Sequence, residues 1–426
     1  MKTDIIVVGG GGREHALIKA LKKSPEIGVI YALPGNGGIA NDATCVPICA
    51  KDIDKIVDFA VQNAIDFAVV APDDPLVLGA VDRLNEVGIP CFGPTAKAAA
   101  IEGSKVFSKN LMKTYHIPTA SYETFTDPKE ALAYLADCAY PTVLKADGLA
   151  LGKGVVIAQN KQEAEEAVHS IMEDKIFGDS GNALVIEEFL TGPEVSVLAF
   201  TDGKTVKPMV SSMDHKRIGD NDTGPNTGGM GTIAPNPYYT PDVAERCMKE
   251  IFLPTIEAMN KEGRTFRGCL YFGLMLTPNG PKVIEYNCRF GDPETQVVLP
   301  LLKSDLLTIM QATANGTLAD TPVEFKDGAA CCVVMASNGY PLKYETGFPI
   351  TAPETLPADN EIYYAGAKLD GERLLTAGGR VLGAVAVDDN LPNAVKKAYA
   401  LTETIHFANA VKRSDIGRRA LEKGVN

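Results

Sequence analysis

MKTDIIVVGGGGREHALIKALKK, residues 1–23, begins with a short apolar run (Ile5–Val8), crosses four consecutive glycines (Gly9–Gly12) and continues as a helical pattern over Arg13–Lys23. A strand passing through a glycine turn into a helix is the first half of a βαβ unit. The alternation continues outward. Val29–Leu33 reads as a strand ending at Pro34-Gly35-Asn36, Ile53–Asn63 as a helix, Phe67–Val70 as a strand, Leu76–Val87 as a helix and Ile89–Phe92 as a strand. This spacing predicts an open parallel α/β domain over residues 1–103.

The pattern then changes. A helix over Ser104–Tyr115 stops before Ile117-Pro118, since the residue preceding proline is pushed out of the helical region, and residues 104–118 form a connection. Residues 119–192 read as a small α+β unit: strand Tyr140–Ala146, a glycine-rich loop, strand Val155–Ala158, helix Gln162–Met172 and strand Ala183–Phe189. Thr191-Gly192-Pro193 is a hinge signal. Residues 193–325 mix strands and loops with helix Pro241–Glu262, and residues 326–426 read as a small strand-rich domain. The expected fold is therefore multidomain, α/β followed by α+β.

A length of 426 residues suits about three domains. With 45% hydrophobic and 22% charged residues the chain is globular in composition. Its net charge of −13 argues against a general nucleic-acid or anionic-membrane binder, because the mean field repels polyphosphate. A small anionic ligand remains compatible through local cations. No apolar run is long enough to span a bilayer, and the first residues read as a strand and not a leader. The nine cysteines are scattered with no CxxC pair, which argues against a disulfide framework and for a reducing cytoplasm.

Gly9–Gly12 sits where backbone N–H groups and a helix N-terminus favour an anion. A dinucleotide fingerprint fails here: counted from Gly9 or Gly10, its third glycine falls on Glu14 or His15, and no carboxylate ends the second strand. A phosphate-sized ligand or a plain tight turn remain. Lys145-Ala146-Asp147-Gly148-Leu149-Ala150-Leu151-Gly152-Lys153-Gly154 lies between two apolar strands and reads as a hairpin loop; Gly154 stands where a Walker loop needs Ser or Thr. Its glycines admit close approach of backbone amides to phosphate oxygens, with Lys145 and Lys153 supplying charge. The alternative is a mobile hairpin with incidental lysines.

Cys269–Thr277 and Lys282–Cys288 read as strands around the turn Pro278-Asn279-Gly280-Pro281. Strict alternation puts Val283, Glu285, Asn287 and Arg289 on one face and Ile284, Tyr286 and Cys288 on the other. A carboxylate beside an amide oxygen suits Mg²⁺ or Mn²⁺ completed by nucleotide phosphates and water; the alternative is an exposed face balanced by a Glu–Arg pair. Met213–Arg217 and Asn226–Gly231 frame a long polar loop, of a kind usually functional. His215 there is read as solvated; for Lys216 and Arg217 a functional role and a solvated charge pair stand as equal alternatives. With five histidines and no GxSxG elbow, a Ser-His-Asp hydrolase lacks support.

GGGGREHAL (9–17), Pro34-Gly35-Asn36, KADGLALGKGV (145–155), EEFLTGPE (187–194), DHKR (214–217), NTGGMG (226–231) and EYNCRFGDPETQ (285–296) together resemble the phosphoribosylamine–glycine ligase (glycinamide ribonucleotide synthetase) family of the ATP-grasp superfamily. The similarity runs in order over the whole chain and includes 366–382. It implies ATP-dependent ligation of glycine to 5-phosphoribosylamine, with Mg²⁺ or Mn²⁺, by a monomer. It further implies that 119–192 is a lid whose loop (Gly148, Gly152, Lys153) covers ATP, with Lys105 and Lys145 on the phosphates. Glu187, Glu188 and Leu190 correspond to adenine contacts, Glu194 to a ribose contact, and Glu285 and Asn287 to the metal pair. Gly10, Gly12, Gly35, Asn36, Asp73, Asp292, Lys368 and Arg380 correspond to the phosphoribosylamine pocket. Asp214 and Arg289 correspond to groups on the glycine amine and carboxylate, and with Lys145 are the expected catalytic residues.

Two positions depart from the family pattern: Asp73 where Glu is usual, and Ala367 where Thr is common. Both lie on the phosphoribosylamine side, so an altered affinity for that substrate is expected. Other ATP-grasp activities (biotin-carboxylase-like or carboxyaminoimidazole ribonucleotide synthetase) share the lid and metal pair but lack the DHKR and NTGGMG loops. A non-catalytic nucleotide-binding regulator is the reading from a different class.

Overall fold

The computed structural model describes residues 2–149 and 154–424. Four principal sheets account for it. The first is parallel, with strands in the order Thr44–Cys45, Ile27–Pro34, Thr3–Gly9, Phe67–Val70 and Cys91–Phe92. Ile5–Gly9, Phe67–Val70 and Cys91–Phe92 are buried throughout, as expected of strands covered on both faces, while Val29 and Thr44 toward one edge are exposed. The helix expected over Leu76–Val87 is broken into Asp73–Val77 and Ala80–Glu86, because Gly79 takes the left-handed conformation, φ +86°.

Residues 122–188 form an antiparallel sheet in the order Tyr122–Phe125, Leu184–Glu188, Thr142–Ala146, Val155–Ala158. Helices Pro128–Leu135 and Lys161–Val168 cover it. All the side chains of the core between them (Leu144, Ala164, Val168, Ile171, Leu184 and Ile186 among them) come from within residues 125–186. A unit with its own core can move as a body. By contrast, the first sheet shares a continuous core with the central sheet, Ile6, Val8 and Ala68 packing in one cluster with Val197, Phe252, Phe272 and Tyr286.

The central sheet is antiparallel, in the order Val206–Pro208, Glu194–Thr201, Gly268–Thr277, Gly280–Asn287. Its last pair departs from strict alternation. Gly273 pairs with Glu285 but Leu274 pairs with Val283, which leaves Ile284 as an extra residue, a β-bulge. The bulge corrects the facing predicted from spacing: Val283 joins Tyr286 and Cys288 in the core, while Glu285 and Asn287 are left on the accessible side.

The last sheet is not made by the tail alone. Its strands run Met213–Asp214, Gly231–Ala234, Ala329–Ser337, Arg380–Asp388 and Asn360–Tyr364, with Ala410–Val411 added to Ala329–Ser337. What reads in sequence as one long polar loop therefore contributes two strands to this sheet and a separate hairpin, Arg217–Gly219 with Thr223–Asn226.

The shared core predicts a sharp contrast. Phe272 is fully buried, 4.2 Å centroid to centroid from Phe252, whereas Leu342 is 79% exposed. Phe272→Ala should lower unfolding free energy by about 3–5 kcal/mol and Leu342→Ala by under about 0.5 kcal/mol, read from urea midpoints; equal effects would contradict this packing.

Candidate functional site

The bulge is also where the 122–188 unit meets the central sheet. Lys145 Nζ donates to the Ile284 carbonyl at 3.0 Å, an acceptor on the residue that has no paired partner across the strands. Thr119 forms a bridge to Val283 and its hydroxyl donates to the Val283 carbonyl at 2.7 Å. Lys282 pairs with Glu188 at 2.9 Å. Three successive residues of one strand thus anchor the base of the smaller sheet.

Glu285 stands beyond this anchor on the accessible side, 3.4 Å from Lys216. Lys216, followed by Lys145 and Lys105, holds its carboxyl down at about 2, outweighing burial. Glu285 is therefore an anion ringed by three cations. Asn287 follows on the same side. Among the described residues no three His, Cys, Asp or Glu cluster as metal ligands. A carboxylate and an amide oxygen alone fit a hard cation that takes its remaining oxygens from phosphate and water. Arg289 does not balance Glu285, as the plain reading of an exposed polar face requires; it pairs elsewhere.

Lys145 also makes an ion pair with Glu187, which is shared with Lys109. Burial would raise the Glu187 carboxyl, but the two lysines bring it below its ordinary value. Lys109 itself is lowered to about 8 by burial; its ammonium donates to Thr119 Oγ1 at 2.8 Å. Lys105, lowered by burial, donates to the Gly148 carbonyl at 2.5 Å. Asp147 accepts from Ser104 Oγ at 3.1 Å and Val106 N–H at 3.1 Å, tying the hairpin to the helix Lys105–Thr114. Gly152 and Lys153 lie outside the described residues. Glu188 and Glu194 are exposed and Leu190 half-buried along the connection between the two sheets; Glu194 is 3.9 Å from Lys216. Lys216, half-buried, thus bears on two carboxylates.

Arg289 NH2 is 2.9 Å from Glu102 and 3.9 Å from Asp73. Its Nε is buried with no hydrogen-bond partner, a donor aimed at something the protein does not supply. Glu102 also accepts the Cys288 N–H at 2.7 Å, and burial pushes its carboxyl up. Glu102 escapes a sequence reading. A lone acid in Ala96–Gly103 looks like a surface residue, although its flanks, Ala98, Ala99 and Ile101, are apolar enough to mark a buried turn.

Asp214 accepts its neighbour His215's N–H at 2.7 Å. Burial, with the charge of Glu294 adding to it, raises its carboxyl well above the ordinary range despite Lys216 and Arg380. Glu294 accepts from Tyr271 at 3.1 Å. His215 is buried, not solvated. Arg380 NH1 donates to the carbonyls of Gly228 (3.0 Å) and Asp292 (2.8 Å) and lies 3.3 Å from Asp292 Oδ1.

The amino-terminal glycines adjoin this group. A Cβ at Gly10 would fall 2.3 Å from the Gly35 carbonyl, and one at Gly12 2.7 Å from Gln296 Nε2 and 3.8 Å from Asp292 Oδ1. Gly35 has φ +70°. Asn36 spends its amide on the carbonyls of Gly10 (3.0 Å) and Tyr364 (2.8 Å), and Gly37 donates to Ala367 O at 2.9 Å. Lys368 is exposed on the strand Ala367–Asp370 that packs there.

Three family models match in succession: phosphoribosylglycinamide synthetase N domain over 3–102, ATP-grasp (A) domain over 103–295 and C domain over 330–419. Phosphoribosylamine--glycine ligase of Escherichia coli O157:H7 is 47% identical over 99% of this chain and 100% of its own. The chain belongs to the phosphoribosylglycinamide synthetase family. A bifunctional purine biosynthetic protein PUR2,5 of Pichia angusta is 48% identical, but the chain spans only 54% of its length. Among solved structures, the Thermotoga maritima phosphoribosylamine--glycine ligase is 35% identical with TM-score 0.86, over 97% of this chain and 100% of that one. The biotin carboxylase domain of a Hydrogenobacter thermophilus 2-oxoglutarate carboxylase, TM-score 0.74 over 97% and 92% of the two chains at 17% identity, shares the fold alone. The family fold is thus the three-domain synthetase architecture with its ATP-grasp centre.

The buried Glu102–Arg289 pair makes a testable point. Glu102→Ala strands a buried guanidinium and should cost about 3–5 kcal/mol. Adding Arg289→Met should restore part of that loss, so the double variant unfolds at higher urea than Glu102→Ala; a further drop would deny the coupling.

Proposed function

We propose that the chain joins glycine to 5-phosphoribosylamine at the expense of ATP, giving glycinamide ribonucleotide, ADP and phosphate through glycyl phosphate. The observation that carries this reading is the convergence at Ile284–Arg289: three lysines around Glu285, and an Arg289 donor left open beside them. A glycine carboxylate is a poor acylating group until phosphorylated. Lys145, in the hairpin's first strand, and Lys105, which touches the hairpin at Gly148, would neutralise charge developing on the transferred phosphoryl group. Glu285 and Asn287 would hold Mg²⁺ or Mn²⁺, which supplies further neutralisation when bound.

Arg289 Nε would bind the glycine carboxylate and Asp214 its amine. Burial raises the Asp214 carboxyl, and an ammonium beside it would favour the ionised form. The loops at Gly10, Gly12, Gly35 and Asn36, closed by Lys368, Asp292 and Arg380, would take phosphoribosylamine. The shorter Asp73 there reaches toward Arg289 and would set that substrate's affinity. Hinge closure of the 122–188 unit, with Glu187, Glu188, Leu190 and Glu194 along the adenosine, would exclude water that hydrolyses an acyl phosphate. No side-chain nucleophile is required. Among the described residues no helix is long and apolar enough to cross a membrane. The family resemblance supports work on small molecules, as a monomer and in the cytoplasm.

ADP release measured with ATP, Mg²⁺, glycine and fresh phosphoribosylamine should require all four, and Glu285→Ala should slow it about 100-fold or more. Release that needs bicarbonate and ignores glycine would replace this reading with a carboxylase-like one; no release at all would favour a binding protein.

A further inference from the structure

We propose that His215 and the segment Arg413–Gly417 are positioning groups for the reaction, fixing from behind the turn that carries Asp214 and Lys216. The inference rests on the function proposed above.

The backbone of Asp214–Arg217 is held on two sides. On one side lies the glycine loop: His215 N–H donates to Gly231 O at 2.9 Å, Met230 N–H to His215 O at 2.8 Å and Thr227 N–H to Lys216 O at 2.7 Å. On the other lies the carboxy-terminal segment, some 200 residues later. Gly417 N–H donates to His215 Nε2 at 3.1 Å, and Arg413 NH1 donates to the Arg217 carbonyl at 3.1 Å. The imidazole spans both sides. With Nε2 accepting, Nδ1 carries the proton and donates to Gly231 O at 3.1 Å, so one tautomer makes both bonds. Burial favours the neutral ring, lowering its pKa to about 4.

A second observation points the same way. The hairpin that continues from Arg217 contains two consecutive non-glycine residues in the left-handed region, Asn221 at φ +59° and Asp222 at φ +53°. Such residues persist where surrounding contacts over-determine them. Here those contacts come from the same segment. Asp415 Oδ2 accepts the Asn221 N–H at 2.8 Å, Arg413 reaches Asp222 at 2.9 Å, and Ser414 N–H reaches Asp220 at 2.8 Å. Arg413 is itself aligned by Asp415 at 2.7 Å. None of these side chains is among those placed around the substrates. Their effect passes through the turn, so it falls first on what Asp214 and Lys216 hold; the phosphoribosylamine pocket is built on Gly10, Gly35 and Asn36 and meets the glycine loop through Arg380 at Gly228 (3.0 Å).

Steady-state kinetics of the full chain test this with three variants. His215→Leu, which removes both ring bonds, should raise the glycine KM about 10-fold or more with the phosphoribosylamine KM within about twofold. His215→Gln, which keeps a donor and an acceptor, should recover part of that loss. Arg413→Lys, which keeps the charge but loses the fork, should raise the glycine KM about threefold. If His215→Leu fails to fold, the other two variants decide. A glycine KM unchanged in the folded variants, or both substrate KM values moving together, overturns the inference while the function stands. A wild-type enzyme with no glycine-dependent turnover overturns both.

Discussion

One extra residue in one strand organises this molecule. The bulge at Ile284 leaves a carbonyl for Lys145 and docks Thr119 at Val283, so the smaller sheet is tied to the central one where the Glu285 carboxylate emerges. Without the bulge, the alternation that buries Tyr286 and Cys288 would also turn Val283 out to the Glu285 side. With it, a strand buries three apolar side chains and still presents a carboxylate and an amide side by side.

Charge is handled locally against a contrary global field. The chain carries −13 overall, yet Lys105, Lys145 and Lys216 all bear on Glu285, and Lys109 and Lys145 share a buried carboxylate. Ionic groups in so little water are tolerable only in compensating sets. The pairing of Arg289 with Glu102 follows the same rule. A triphosphate and a divalent cation entering this cluster would exchange one balanced set for another.

Much of this was legible in the sequence, for reasons specific to each element. The alternation from Ile5 to Phe92 determines the parallel sheet because each apolar run is short and bounded by turn residues. Glu285 and Asn287 were findable because two-residue spacing survives beyond the bulge. Spacing alone puts Val283 on the wrong face because a bulge depends on the partner strand. His215 reads as solvated for a related reason: what buries it, Gly231 and Gly417, lies 16 and 202 residues away. Strands Met213–Asp214 and Gly231–Ala234 are too short to register as periodic, and they pair into a sheet whose other members lie about 100 residues on. Glu102 had a faint local signal in its apolar flanks, but its partner Arg289 is far along the chain.

A crystal structure with a non-hydrolysable ATP analogue and Mg²⁺ tests directly whether the bulged strand and the hairpin clamp nucleotide between them. The triphosphate is expected between the Thr142–Ala158 hairpin and the Gly280–Asn287 strand, with the ion on Glu285 and Asn287. Nucleotide bound away from that hairpin, or an ion that does not touch Glu285, would contradict it.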